Sequence, residues 1–315
     1  MPEESRKAIA AAFAANLGIA IAKFAGFAVT GAASLLAEAI HSVADTGNQA
    51  LLALGGRRAR KEPTPDHPFG YGRERYFWAF LVAVVLFTVG SLFALYEGYE
   101  KLRNPHGLES PVWAFGTLAV AVVLEALSLR TAVREANKHR GRQPWWKFIH
   151  RAKSPEIPVV LLEDTGALLG LAFALVGVTL TVVTGNPRFD AVGSLAIGLL
   201  LGVIAVVVGT EMRSLLVGES AGRAEVNAIR EALESSPGMR RVIHLRTMHL
   251  GPEELLVGAK VELDLELSFA DVAEAIDAAE AAIRERVPSA RIIYLEPDVE
   301  RDRAGEPVPP PTPTT

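Results

Sequence analysis

Long apolar runs fill residues 8–30, 33–56, 76–100, 111–130, 157–184 and 188–213, and charged stretches fall between and after them. About 20 mostly apolar helical residues cross a bilayer, so the pattern predicts six transmembrane helices. Only Thr30-Gly31-Ala32-Ala33-Ser34 parts the first two runs, which predicts a tight hairpin. The connection from Arg57 to Arg75 carries six Lys or Arg residues, and that from Arg130 to Lys153 carries eight. The connections on the other side carry none, two (Lys101, Arg103) and one (Arg188). Basic loops stay in the cytoplasm. An even number of spans then puts both termini on that side too.

After Gly218 the periodicity changes to that of a small water-exposed domain. Val226, Ile229 and Leu233 mark one face of a short helix that stops near Pro237-Gly238. Residues 241–249 read as a strand, Gly251-Pro252 as a turn, and Val257, Ala259, Val261, Leu263, Leu265 and Leu267 as the buried face of a second strand. Ser268 is placed to cap a helix with apolar positions Val272, Ile276, Ala279, Ile283 and Val287, and Arg291–Leu295 supply a third strand. Helix, strand, strand, helix, strand makes an α+β layer of ferredoxin-like type. The expected organisation is a six-helix transmembrane domain over 1–217, a cytoplasmic ferredoxin-like domain over 218–300, and a disordered Pro-rich tail over 301–315.

Composition sharpens this division. Half of the residues are hydrophobic while 22% are charged, so the charges must be segregated from the membrane runs. Cysteine is absent, which excludes disulfides and thiolate metal sites. The net charge of −4 says little about partners. No short apolar core with a small-residue cleavage motif precedes the first run, so a cleaved signal peptide is not expected. Richness in Ala, Gly and Arg fits a bacterial inner membrane.

Chemistry concentrates at His41-Ser42-Val43-Ala44-Asp45, an imidazole and a carboxylate four residues apart inside an apolar run. Ionisable groups at membrane depth are costly and mark functional sites. Residues i and i+4 share one helix face, so both can reach one point beside the helix, where a divalent metal ion suits nitrogen and oxygen donors. In the fifth run, Glu163-Asp164 places two more carboxylates among apolar residues, with Gly166 and Gly170 allowing a neighbouring helix to come close. Asp164 is the third ligand chosen, beside His41 and Asp45. Glu163 points about 100° away, as a supporting partner, extra ligand or proton carrier. Asn16 and Asn48 lie at similar depth; a lone Asn there more often bridges helices than binds an ion. Lys23 and Glu38 are expected to pair near the hairpin end or to snorkel.

These stretches together resemble the cation diffusion facilitator family of zinc-transporter type. Asn16-Leu17-Gly18-Ile19-Ala20 through Lys23-Phe24 to Ala37-Glu38-Ala39-Ile40-His41-Ser42-Val43-Ala44-Asp45-Thr46 is similar to its most recognisable segment, and Asp66-His67-Pro68-Phe69-Gly70-Tyr71-Gly72-Arg73 to its cytoplasmic loop. The resemblance implies a homodimer in the bilayer that exchanges cytoplasmic Zn²⁺ for protons by alternating access. It implies no enzymatic activity, no cofactor apart from the transported ion, and no nucleic-acid partner. Its transport site takes two ligands from the second helix and two from the fifth. His41, Asp45 and Asp164 match three of them. The fourth falls on Val160, which cannot coordinate a metal, leaving Glu163, Asn48, Asn16 or water. An oxygen-richer shell is friendlier to Mn²⁺, Fe²⁺ or Co²⁺. Metal binding by Asp66 and His67 in the loop, or by His244 and His249 in the cytoplasmic domain, is left open: Tyr71 stands where a second loop histidine is often found, and Lys260, Ala273 and Tyr294 fall where relatives supply histidines. The rival reading is a membrane-anchored metal-sensing or interaction protein whose buried polar groups merely pack helices.

Overall fold

The computed structural model describes residues 18–108 and 110–299, so Asn16 and the tail 301–315 lie outside the described residues. The chain divides into two compact units: one runs up to Arg58 and resumes over Glu74–Arg213, and the other joins Ala59–Arg73 to everything from Ser214 onward.

Among the described residues the first unit has helices as its only regular elements. It contains α1 (Gly18–Thr30), α2 (Ala33–Arg58), α3 (Glu74–Arg103), α4 (Pro111–Arg140), the short α5 (Trp145–Arg151), α6 (Glu156–Thr184) and α7 (Arg188–Val217). Among the described residues four helices, α3, α4, α6 and α7, are long and apolar enough to cross a membrane. Two of the six expected spans fall short of that standard for different reasons. The described part of α1 is a shorter apolar helix. The 26 residues of α2 suffice in length, but buried Glu38, His41 and Asn48 dilute its apolar character. The outer surface also suits a lipid solvent. On α7, Leu199, Val203 and Val206 are each at least 60% exposed, while Ile197, Leu201 and Val208 are buried. An apolar face of that extent is not stable against water.

Polar contacts set where α2 begins. Gly31 turns the chain between α1 and α2 with φ +63°, a region open to glycine without strain. The first free N–H of α2, on Ala33, donates to Asp190 Oδ2 at 2.8 Å, and the Ser34 hydroxyl donates to Asp190 Oδ1. A carboxylate at a helix N-terminus satisfies orphan donors and the helix dipole together. Lys101 of α3, counted above among the loop charges, is instead buried; its ammonium donates to Asp190 at 2.9 Å and to the Gly31 carbonyl at 2.8 Å. The start of α2 is thus tied to α3 and α7. A π-helical turn interrupts α3 at Leu86–Ser91, and Ser91 Oγ donates to the Gly198 carbonyl of α7 at 2.8 Å. Small polar residues hold these two helices close.

The second unit contains α8 (Arg223–Glu234), β1 (Met239–Gly251), β2 (Glu254–Leu263), α9 (Phe269–Arg286) and β3 (Ala290–Pro297). Its sheet has order β1-β2-β3, antiparallel between β1 and β2 and parallel between β2 and β3. The core joins Ile229 and Leu233 of α8, Leu255, Val257 and Val261 of β2, and Ala279 and Ile283 of α9. These elements follow the sequence pattern, with one difference. Strand β2 stops at Leu263, and Leu265 is 70% exposed instead of continuing the buried face. Backbone bonds from Asp264 N to the Gly238 carbonyl and from Leu267 N to the Asp264 carbonyl turn the chain there. That turn delivers Ser268 to the N-cap of α9, where Asp271 Oδ2 accepts from Ser268 N at 3.0 Å. In the Ala59–Arg73 segment, Arg73 reaches Met248 Sδ of β1 at 3.1 Å.

Candidate functional site

Helix α2 carries His41 and Asp45 one turn apart, with His41 Nδ1 3.5 Å from Asp45 Oδ1. His41 is fully buried. Among the described residues neither ring nitrogen has a hydrogen-bond partner, and neither does Asp45 Oδ1. Buried polar atoms nearly always find partners, so the open imidazole and the open carboxylate oxygen make this pair the candidate site.

Helix α6 brings Glu163 and Asp164, both buried. Asn48 Nδ2 donates to Glu163 Oε1 at 2.7 Å, and Ser128 Oγ of α4 donates to Asp164 Oδ2 at 2.9 Å. Glycine makes the approach of α2 to α6 close: a Cβ on Gly170 would lie 2.2 Å from Glu38 Oε1. A narrow cleft results, lined by Ser42, Asp45 and Gln49 of α2, Glu125 of α4, and Glu163 and Asp164 of α6. Asp45 and Asp164 share this cleft, while His41 stands beside Asp45 and does not line it. Among the described residues no three His, Asp or Glu side chains converge tightly enough to close a metal shell in this conformation. Val160, one turn before Asp164, brings no donor atom.

One acidic wall of the cleft was not singled out from the sequence. Glu125 is buried within the fourth apolar run, and the rule that flagged His41 and Asp45, an ionisable group at membrane depth, finds it equally well. Lys23 and Glu38 do pair, at 3.0 Å. Their pairing is deeper than a hairpin-end contact: Lys23 is fully buried and also reaches Ser42 Oγ at 2.8 Å and Glu125 Oε1 at 3.2 Å.

The other candidate ligands are dispersed. In the loop, His67 closes a small bridge with Thr64 and its ring lies 4.7 Å from that of Tyr71. In the sheet, His244 stands opposite Lys260. The Lys260 ammonium binds Asp298 at 2.8 Å and Glu296 at 3.0 Å, and those bonds raise its pKa above the ordinary lysine value. His249 is buried, and its backbone N–H donates to the Glu219 carbonyl.

Comparison with known proteins gives the family of the chain. The family model for the cation efflux transmembrane domain matches residues 9–217, and the model for the cation efflux protein cytoplasmic domain matches residues 221–298. The proton-coupled zinc antiporter SLC30A9, mitochondrial, of Mus musculus is 36% identical over 244 residues, covering 77% of this chain and 43% of that protein. The chain thus spans under half the length of that relative. The cation-efflux pump FieF of Pectobacterium atrosepticum is 28% identical over 271 residues, covering 86% of this chain and 85% of the pump. A solved structure of the MamM carboxy-terminal domain is 28% identical, covers 25% of this chain and 96% of its own, and has a TM-score of 0.24. A multi-pass helical membrane unit followed by an α+β unit, each matched by its own family model, makes this chain a member of the cation diffusion facilitator family, whose members are cation transporters and not enzymes.

Proposed function

We propose that this protein exports a divalent metal cation, Zn²⁺ foremost, in exchange for protons by alternating access. His41, Asp45 and Asp164 hold the ion. The observation that carries this reading is the open pair of His41 and Asp45 beside a cleft that Asp45 shares with Asp164. Metal binds only neutral imidazole and ionised carboxylate, so loading the site releases protons and protonating it ejects the ion. Asp164, which shares the cleft with Asp45, completes the hold on the ion when the site is loaded. Glu163, steadied by Asn48, is placed to support the shell where Val160 cannot.

In this reading α1 and α2 complete six spans, both termini and the basic loops face the cytoplasm of a cell membrane, and two copies pair through the cytoplasmic domain. The likeness to a zinc antiporter and to a cation-efflux pump supports it. A second reading, export of Mn²⁺, Fe²⁺ or Co²⁺, is favoured by the carboxylates of the cleft, since harder ions prefer oxygen. Calorimetric titration of the purified protein with the four ions ranks them directly. In sealed proteoliposomes, metal-dependent proton flux is expected from the wild type and none from His41→Ala, Asp45→Ala or Asp164→Ala, each still assembling normally. Flux at the wild-type level from any of the three removes that residue from the site; no metal-dependent flux from the wild type would leave a sensor or scaffold.

A further inference from the structure

Behind the cleft wall stands a cation of the protein's own, bonded to two of its lining residues, Ser42 and Glu125. Lys23 is fully buried, and its ammonium spends its three N–H donors on Glu38 Oε2 at 3.0 Å, Ser42 Oγ at 2.8 Å and Glu125 Oε1 at 3.2 Å. Burying an ammonium is tolerable only when it is paired and fully hydrogen-bonded. These partners are not equivalent. Glu38 lies against Gly170, away from the cleft lining, and is its anchor. Glu125 makes the longest of the three bonds and also lines the cleft with Asp45, Glu163 and Asp164. It is the carboxylate that both Lys23 and an ion in the cleft can reach.

We propose that Lys23 is a tethered counter-ion that competes with the transported dication for Glu125, so that Glu125 is an additional, exchangeable ligand and Lys23 sets how tightly the ion is held. The inference rests on the cargo site proposed above. Without an ion, the ammonium neutralises part of the acidic cluster that Glu38, Asp45, Glu125, Glu163 and Asp164 form. When a dication arrives, its double charge outweighs the single charge of the ammonium at Glu125, and Lys23 falls back on Glu38 and Ser42. A monovalent ion has no such advantage over the ammonium already in place, which gives the site a preference for charge +2. On release, Lys23 recaptures Glu125 and disfavours rebinding. Lys23 never touches the ion in this scheme; it acts through Glu125.

The test is calorimetric titration of the purified full-length protein with Zn²⁺, accompanied by turnover in proteoliposomes. Glu125→Gln is expected to weaken Zn²⁺ binding about tenfold, within the range for losing a supporting or ligating group. Lys23→Gln frees Glu125 and is expected to tighten binding about tenfold while slowing turnover. In the double variant the tightening disappears, because the group through which Lys23 acts is gone. Lys23→Arg, whose planar fork grips a carboxylate with two donors, is expected to weaken binding, and it keeps the test available should Lys23→Gln fail to assemble. Unchanged affinity in Glu125→Gln overturns the proposal. So does a Lys23→Gln effect of equal size with and without Glu125, which would mark a packing role. His41→Ala separates this from the parent reading: if its binding is lost while the Lys23 and Glu125 variants behave as wild type, only this inference fails; if its binding is intact, the cargo site itself is misassigned.

Discussion

Replacing Lys101 with methionine should loosen the whole helical unit without touching the cleft. Lys101 and Asp190 form an ion pair in which both side chains are fully buried, and the same carboxylate caps α2 through Ala33 N and Ser34 Oγ. Removing one partner of a buried ion pair costs about 3–5 kcal/mol, because the remaining charge is left without compensation. Here Asp190 keeps two donors and the positive end of α2, so the lower end, about 3 kcal/mol, is expected for Lys101→Met. That corresponds to roughly a hundredfold shift in the folded-to-unfolded ratio. Asp190→Asn preserves an acceptor for the α2 cap but strands the ammonium, and should cost at least as much. The double variant removes both charges and should recover about 2 kcal/mol relative to the sum of the two single changes. Reversible unfolding in mixed micelles, followed by helical circular dichroism, measures all three. A Lys101→Met loss below about 0.5 kcal/mol, or a double variant that equals the sum of the singles, would refute the argument that this buried pair fixes the start of α2.

Two further outcomes follow from contacts elsewhere. Gly170→Ala inserts a Cβ 2.2 Å from Glu38 Oε1 and should destabilise the helical unit by about 1–3 kcal/mol, read in the same unfolding assay; no loss would mean that Glu38 moves aside freely. Ser268→Ala removes the N-cap of α9 and should speed amide hydrogen exchange along that helix by roughly fivefold, the equivalent of about 1 kcal/mol. The bonds from Ser268 hold the Asp271 carboxyl below its ordinary value of 3.8, so its contribution is complete above that pH and fades as pH falls through the lowered value. The gap in exchange rate between wild type and Ser268→Ala should therefore narrow below about pH 4; a gap independent of pH would exclude Asp271 from the cap.

The apolar runs and their loops sufficed to predict a multi-helix membrane unit, and the period-two and period-3.6 patterns after Gly218 predicted the order helix, strand, strand, helix, strand. Both come from local rules: burial repeats every two residues in a strand and every 3.6 in a helix, and a bilayer admits no unpaired backbone. The candidate pair His41 and Asp45 was visible for the same reason, since four-residue spacing fixes a shared helix face. What the tertiary structure decided is which helices meet. No periodicity links Lys23 to Glu125, 102 positions away, or Lys101 to Asp190, 89 positions away. Those pairings depend on how α1, α3, α4 and α7 pack. The end of β2 at Leu263 depends on contacts within its own unit, where a backbone bond to Gly238 turns the chain and overrides an alternating pattern that continues to Leu267. Sequence marks a charge in an apolar run as costly; only the packed helices reveal which opposite charge offsets that cost.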